Sequence, residues 1–377
     1  YTFLDAKAAL IKTVAELRSL EKPDLTLVLA HTGLDRDAQS GALRLGDLRG
    51  ENVTWQLATQ VPGIDAVIFG HTHAQVNELR ANGVLLTQPK NWGMSLARLD
   101  FFLESSAGGQ GWRVKSKSSR VIPVTPQVAA DAAVLNLARP YHEVTERYLD
   151  SPVAQATSTI DASVSRIEDT PIIDAIQAVQ LHYAQADVSF TSSFNPRARI
   201  PQGSVTVRQI AGLYIYDNEL YAIQGTGLMV RKALENAARY FSTCPDSECR
   251  VPSLINRDFI GFNYDVAQGV TYSIDLTKPV GQRIVDLRFK GALLEDARKL
   301  RIAVNNYRAG GSGGYDMFKG APVVWRSYDD IRQLIIQYYS SHGLPSTADG
   351  NWRIIPEPAH RKLAQEARAL AGRSMTQ

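Results

Sequence analysis

Two cysteines in 377 residues are too few for a fold stapled by disulfides, and no apolar run approaches the ~20 residues that a membrane-spanning helix needs. Nor is there a Lys/Arg-rich block or a stretch of basic residues interleaved with aromatics. The formal net charge of +3 is spread along the chain, which argues against a nucleic-acid polymer as partner. The chain has no internal repeat, and its first twenty residues form an amphipathic pattern, not a signal peptide. What remains is an ordinary globular composition, 44% hydrophobic and 21% charged, in a chain long enough for at least two hydrophobic cores. The two cysteines, Cys244 and Cys249, lie close together in Cys-Pro-Asp-Ser-Glu-Cys, where they can close a small loop or stay free thiols.

The pattern along the chain is α/β, and α+β overall. Leu4, Ala8, Ile11, Val14 and Leu17 recur at steps of three or four, an amphipathic helix that Lys22-Pro23-Asp24 ends. Leu25 to Ala30 is a nearly unbroken apolar run, read as a strand buried on both faces. A helical stretch from about Glu51 to Gln60 follows, then a second apolar run from Ala66 to Phe69 and further strands at Val84–Leu86 and Leu96–Phe102. That order fits a layered α/β domain over residues 1–124, whose ligands gather beyond the carboxyl ends of strands. After the Ser/Gly-rich stretch from Ser105 to Gly111, an Ala-rich helix from about Gln127 to Tyr148 is expected to connect two domains, within a linker over 125–157. Residues 158–377 mix helices (Thr170–Ala184, Gly227–Phe241, Tyr328–Tyr339, Pro358–Leu370) with strands (Val270–Leu276, Arg301–Val304), a second, mixed α/β domain.

Histidines stand where the first domain would place ligands. His31 follows the first apolar run in Ala30-His31-Thr32-Gly33, and His71 and His73 follow the second in Gly70-His71-Thr72-His73. Imidazole suits several transition metals. Alone, His31 reads first as a polar cap; the His71 and His73 pair reverses that preference and points to metal. A second constellation joins Thr191 to Arg197, Tyr214 to Asn218, and Asn305 to Tyr315. Two aromatic rings can grip a nucleobase by stacking, arginine offers a planar fork to phosphate, and glycines let backbone come close to a ligand. Plainer readings stand beside these: Tyr216 as core next to Leu213, Tyr214 and Ile215, the Gly310–Gly314 run as a flexible loop, and Arg166 as a solvated side chain.

The histidine motifs resemble those that close the calcineurin-like metallophosphoesterases. With the second constellation, almost the whole chain is similar to their exported branch, which holds 5′-nucleotidases and 2′,3′-cyclic-nucleotide 2′-phosphodiesterase/3′-nucleotidases. The resemblance implies two divalent ions (zinc, manganese, iron or cobalt), with His31 and His71 on one and His73 on the other. It further implies a base held between Tyr216 and Tyr307, phosphate at Arg166 and Arg197, and substrate contacts from Ser192, Asn195, Gly310, Gly311 and Ser312. Ser-Phe-Asn-Pro-Arg and Ile-Tyr-Asp-Asn, with tyrosine at 307, look like the cyclic-nucleotide group; 5′-nucleotidases carry Gly-Gly-Gly-Ile-Arg, Pro-Phe-Gly-Asn and phenylalanine. The activity implied is hydrolysis of 2′,3′-cyclic nucleotides to 3′-nucleotides and of these to nucleoside and phosphate, by a monomer in the periplasm or otherwise exported, with a small nucleotide as its partner. Alternatives are a 5′-nucleotidase or nucleotide-sugar hydrolase, and a nucleotide-binding fragment without turnover. The family also uses an Asp-x-His motif, a bridging Asp and an Asn-His pair; none of the seven histidines follows Asn or has Asp two residues before it. The family's catalytic histidine is therefore absent from this chain, its metal site is expected to be incomplete, and the chain alone is expected to be inactive.

Overall fold

The structure, a computed structural model, describes residues 4–37, 41–42, 50–106, 108, 111–246, 248–251 and 253–373; parts of the expected 105–111 stretch and of the cysteine loop lie outside them. The chain divides into two compact units, 1–136 and 137–377.

In the first unit, α1 (Ala6–Leu20) precedes β1 (Leu27–Ala30), α2 (Thr54–Gln60), β2 (Ala66–Phe69), β3 (Val76–Ala81) and β4 (Val84–Gln88). The sheet order is β1-β2-β4-β3, with β1, β2 and β4 parallel and β3 antiparallel at the edge. Because β2 is central, its residues are apolar on both faces, and Ala66 and Val67 are fully buried. The run at β1 behaves differently from expectation. Val28 reaches the core, but Leu27 and Leu29 are 46% and 80% exposed, because none of the described residues covers the second face of β1. Likewise only Val14 of the expected α1 stripe is buried, with Leu10 packed beside it, while Leu4, Ile11 and Leu17 face outward. Asp5 caps α1 by accepting from the Ala8 amide at 2.8 Å.

A long hairpin, β5 (Ser95–Ser105) with β6 (Trp112–Pro123), is braced on β3 by polar side chains: the Ser119 amide donates to Glu78, the Ser119 hydroxyl to the Asn77 carbonyl, and the Val121 amide to the Asn77 side chain. α3 (Ala132–Leu149) starts later than expected because Asp131 caps it, accepting from the Val134 amide at 3.0 Å. It contains Pro140 and no buried residue, and the division between the two units falls inside it.

The second unit runs β7 (Pro152–Ala156), β8 (Ile160–Asp161), α4 (Pro171–Ala184), β9 (Val188–Ser192), β10 (Arg199–Ile200), β11 (Gly203–Thr206), α5 (Val207–Leu213), β12 (Glu219–Thr226) and α6 (Gly227–Ala237). It continues with β13 (Asp265–Gln268), β14 (Val270–Asp275), β15 (Ile284–Phe289), β16 (Ala292–Leu293), β17 (Lys299–Asn305), α7 (Asn306–Ala309), β18 (Val323–Asp330), α8 (Ile331–Tyr339), β19 (Trp352–Ile355) and α9 (Glu357–Arg373). Its main sheet has the order β13-β9-β17-β12-β18, in which only β9 and β17 are parallel. A second sheet, β16-β15-β14-β19, carries the predicted period-two strand at Val270. α4 buries Ile172, Ile173, Ile176 and Val179, and with them Gln177 and Gln180. The NH2 donors of these buried amides are bonded, Gln177 to the Val266 carbonyl and Gln180 to Ser189 and the Phe190 carbonyl, while the Oε1 of each is buried with no partner among the described residues.

Two expected helices differ in extent. Tyr328 to Asp330 belong to β18, and Asp330 starts α8 by accepting from the Gln333 amide at 2.8 Å. The helix from Gly227 ends at Ala237 and tightens into a 3-10 turn over Ala238–Tyr240. There Arg283, 1% exposed, donates to the carbonyls of Ala238, Phe241 and Lys278 and to the Thr243 hydroxyl. Cys244 and Cys249 are joined by a disulfide.

At the start of α4 three carboxylates converge. Asp169, Asp174 and Asp349 offer oxygens that all lie within 4.8 Å of one another, the one such group of ligand atoms among the described residues. Asp169 accepts from the Gly350 and Asn351 amides and Asp174 from the Asp349 amide, so mutual repulsion is set against bonds that hold the 349–351 loop. Burial, with the neighbouring charges of Asp169 and Asp349, pushes the Asp174 carboxyl up to about 7. A carboxyl held above its unfolded value of 3.8 binds more protons folded than unfolded. Its contribution is complete below about pH 4 and is lost as pH rises towards 7. Asp174→Asn keeps an acceptor for the Asp349 amide without the charge. Thermal unfolding should show it equal to the parent at pH 4 and more stable at pH 7.5, by on the order of 1 kcal/mol because the cluster reaches solvent.

Candidate functional site

Parallel pairing of β1 with β2 sets Ala30 beside Phe69, so both strands release the chain at one level. His31 and His71 leave from those ends, and their ring centroids lie 5.3 Å apart, edge to face. Gly33 permits this approach: a Cβ there would sit 2.2 Å from Thr72 Cγ2 and 2.5 Å from Asn52 Oδ1, to which the Gly33 amide donates at 2.7 Å. The Thr32 hydroxyl donates to the Glu51 carbonyl and accepts from the Val53 amide, tying the His31 turn to residues 51–53. That tie brings in a group the sequence did not single out, Glu51, whose Oε1 lies 3.1 Å from His71 Nε2. No motif marks it; only the fold of the intervening chain places it there.

His71 and His73 both have left-handed backbone, φ of 71° and 55°, a conformation that costs a side-chain-bearing residue energy and clusters at functional sites. The His73 ring lies 6.0 Å from that of Trp92, and its carbonyl accepts from Lys90. Imidazoles and a carboxylate are the donor types that zinc and its neighbours take. The three histidines do not form a group with all ligand atoms within 4.8 Å.

In the second unit the parallel neighbours β9 and β17 likewise end side by side, at Ser192 and Asn305. Ser192 is fully buried, and its hydroxyl donates to the Gly261 carbonyl at 3.4 Å. The Ser193 carbonyl accepts from Arg166 Nη2 at 2.8 Å. Arg166 rests against Gly261, where a Cβ would lie 2.3 Å from Nη1, and its buried Nε has no acceptor. Asn195 is occupied internally: its amide donates to the Gly212 carbonyl, and its oxygen accepts from the Arg197 amide. Arg197 stands exposed on that turn.

Tyr214 and Tyr216 divide the roles that sequence left open. Tyr214 is the core residue, fully buried, its phenol pushed up to about 12 by burial. Tyr216 is partly exposed, edge-on to Phe194 at 5.2 Å, and its phenol is raised by burial against the opposing charges of Arg166 and Arg308. Tyr307 is 41% exposed on α7, whose cap is Asn305 accepting from the Arg308 amide at 2.8 Å. The glycine run folds back on α7: the amides of Gly310, Gly311 and Ser312 donate to the carbonyls of Asn306, Arg308 and Tyr307. Gly311, Gly313 and Gly314 have positive φ, and a Cβ on Gly313 would lie 2.5 Å from both Arg308 Nη1 and Asn263 Oδ1. The run is a built turn that requires glycine. Arg308, Asn263 and Gly261 were not singled out from the sequence, although Arg308 lies within the Asn305–Tyr315 motif.

Residues 152–320 match the family described as 5′-nucleotidase, C-terminal domain. The chain is 28% identical to the trifunctional nucleotide phosphoesterase protein YfkN of Bacillus subtilis over 92% of its own length and 26% of that protein's. To the 2′,3′-cyclic-nucleotide 2′-phosphodiesterase/3′-nucleotidase of Haemophilus influenzae it is 29% identical, over 93% of this chain and 61% of the relative. It thus spans less than two thirds of either protein. Among solved structures, one from Staphylococcus aureus assigned as a 5′-nucleotidase, in complex with alpha-ketoglutarate, superposes with a TM-score of 0.75 at 26% identity, covering 94% of this chain and 68% of that one. Residues 152–320 thus match a 5′-nucleotidase C-terminal domain, and the relatives that cover the rest of the chain are named as nucleotidases and nucleotide phosphoesterases.

Proposed function

We propose that this chain is part of a phosphoesterase that opens 2′,3′-cyclic nucleotides to 3′-nucleotides and then releases phosphate and nucleoside. The observation that carries this reading is the gathering of Ser192, Arg166, Tyr216 and Tyr307 around the carboxyl ends of β9 and β17, within the matched domain. Similarity to a protein named for that pair of activities supports the choice of substrate. We assign residues 1–124 to metal binding, 125–157 to the connector and 158–377 to substrate binding. In this reading Tyr216 and Tyr307 stack the base, Arg166 and Arg197 take the phosphate, and Asn195 shapes the turn that carries Arg197. Gly310, Gly311 and Ser312 supply backbone close to the ligand. The similarity to a 5′-nucleotidase structure favours a second reading, in which the same site takes 5′-nucleotides. Product release from 2′,3′-cyclic AMP and from 5′-AMP by the full-length gene product separates the two.

Two divalent ions of the zinc, manganese, iron or cobalt type would supply activated water and neutralise charge on the phosphoryl oxygens. His31 and His71, steadied by Glu51, fit one ion, and His73 another. Two such ions each want about four donors, more than these side chains provide. We assign the remaining donors, and the acid–base group, to the part of the relatives that this chain does not span, so that these 377 residues bind nucleotide without turning it over. An exported monomer completes the proposal. The Cys244–Cys249 disulfide fits an oxidising compartment, and among the described residues no helix is long and apolar enough to cross a membrane.

Calorimetry should find adenosine and 3′-AMP binding to the 377-residue chain, weakened in Tyr307→Ala by about 1–3 kcal/mol, the worth of one base–aromatic stack. Unchanged affinity in that variant removes Tyr307 from the site. Titration with zinc or manganese should give weak, substoichiometric binding that His71→Ala lowers further; two tightly held ions would show the donor count to be wrong.

A further inference from the structure

The candidate nucleotide site contains a guanidinium with no hydrogen left for a ligand. Arg308 and Asp265 are each 2% exposed. Asp265 takes Arg308 Nε at 2.8 Å on one oxygen and Nη2 at 2.9 Å on the other, the fork-to-fork geometry that only arginine provides. Nη2 also donates to the Phe262 carbonyl at 2.7 Å, and Nη1 to Asn263 Oδ1 at 3.1 Å and the Ser312 carbonyl at 3.3 Å. Arginine has five N–H donors, and here every one has an acceptor. Burial works against this charge, but Asp265 more than offsets it and pushes the guanidinium pKa up. Arg308 therefore stays charged and fully engaged.

Its acceptors come from two separate segments. Phe262 and Asn263 belong to the turn that opens with Gly261, the seat of Arg166, whereas Ser312 lies within the glycine run. The guanidinium also lies over the Tyr315 ring, 4.6 Å from its centroid, and 5.9 Å from that of Tyr307. Absence of a side chain at Gly313 leaves the room it needs.

We propose that Arg308 is a positioning residue of the base site: it locks the 261–263 turn, the glycine run and α7 into one wall, which fixes where Tyr307 stands relative to Tyr216. This rests on the nucleotide reading above and names the residue that makes its geometry rigid. A lysine keeps the charge but has three donors on a point centre, and cannot hold both segments with Asp265 as well.

The test uses the whole chain as wild type, Arg308→Lys, Asn263→Ala and, as a control with an equally buried guanidinium elsewhere, Arg283→Lys. Adenosine affinity is read by calorimetry and backbone amide exchange by mass spectrometry. Arg308→Lys is expected to weaken adenosine binding tenfold or more and Asn263→Ala about threefold. Both should speed exchange over 310–314 while leaving β12 and β17 protected, and Arg283→Lys should do neither. Where Arg308→Lys fails to fold, Asn263→Ala alone decides. Variants that keep wild-type adenosine affinity, or lose it only as β12 and β17 also open, overturn the proposal. Wild-type chain that binds no adenosine defeats the nucleotide reading itself, a different result from that of a binding wild type with indifferent variants.

Discussion

Adjacent parallel strands end level, and the chain that leaves them must turn at once with its backbone groups no longer paired by the sheet. Both candidate sites follow from this constraint. In the first unit it brings His31 and His71 out beside each other; in the second it brings Ser192 and Asn305 out from β9 and β17. Everything else at each site is a way of holding those two turns against one another. Antiparallel neighbours would have sent one turn to each end of the sheet, with nothing for the two motifs to share.

Holding turns that close leaves little space for side chains. Gly33 fits between Thr72 and Asn52, and Gly313 between Arg308 and Asn263, where a single added carbon would overlap its neighbours. His71 and His73 meet the same crowding differently: they keep their imidazoles and adopt a backbone that favours glycine. Packing this tight is what a site proposed to hold metal or a flat base within narrow limits would require.

Much of this is legible in the sequence, and the misses share a cause. Strand-end histidines beside glycines announce themselves because the apolar run and the turn are local signals. An apolar run does not say what covers it, so β1 reads as buried on both faces although Leu29 faces outward. Periodicity likewise carries a helix back to Tyr328, past Asp330, whose cap resets the phase. Glu51 beside His71, and Asp169 beside Asp349, cannot be read at all, since each meeting depends on chain returning from a distance. Tyr214 and Tyr216 differ only in which face of the turn each occupies, and two residues of one type so close in sequence carry no sign of that.

Donor accounting sorts the arginines of the second unit by role. Arg283 places its guanidinium on the Ala238, Phe241 and Lys278 carbonyls and on Thr243, and Arg308 uses all five hydrogens on protein acceptors. Both are spent on structure. Arg166 donates to the Ser193 carbonyl while its Nε is buried with no acceptor. An N–H held away from water without a partner costs about 1–3 kcal/mol, and an incoming phosphoryl oxygen would remove that cost while adding the attraction of opposite charges. Of these three guanidiniums, Arg308 would have to give up bonds it already makes, Arg283 has four of its five hydrogens on protein acceptors, and Arg166 is the one with a buried N–H that a ligand would satisfy. Arginine in a motif therefore signals a phosphate contact only after its internal acceptors have been counted, and that count is what distinguishes the role proposed for Arg166 from the one proposed for Arg308.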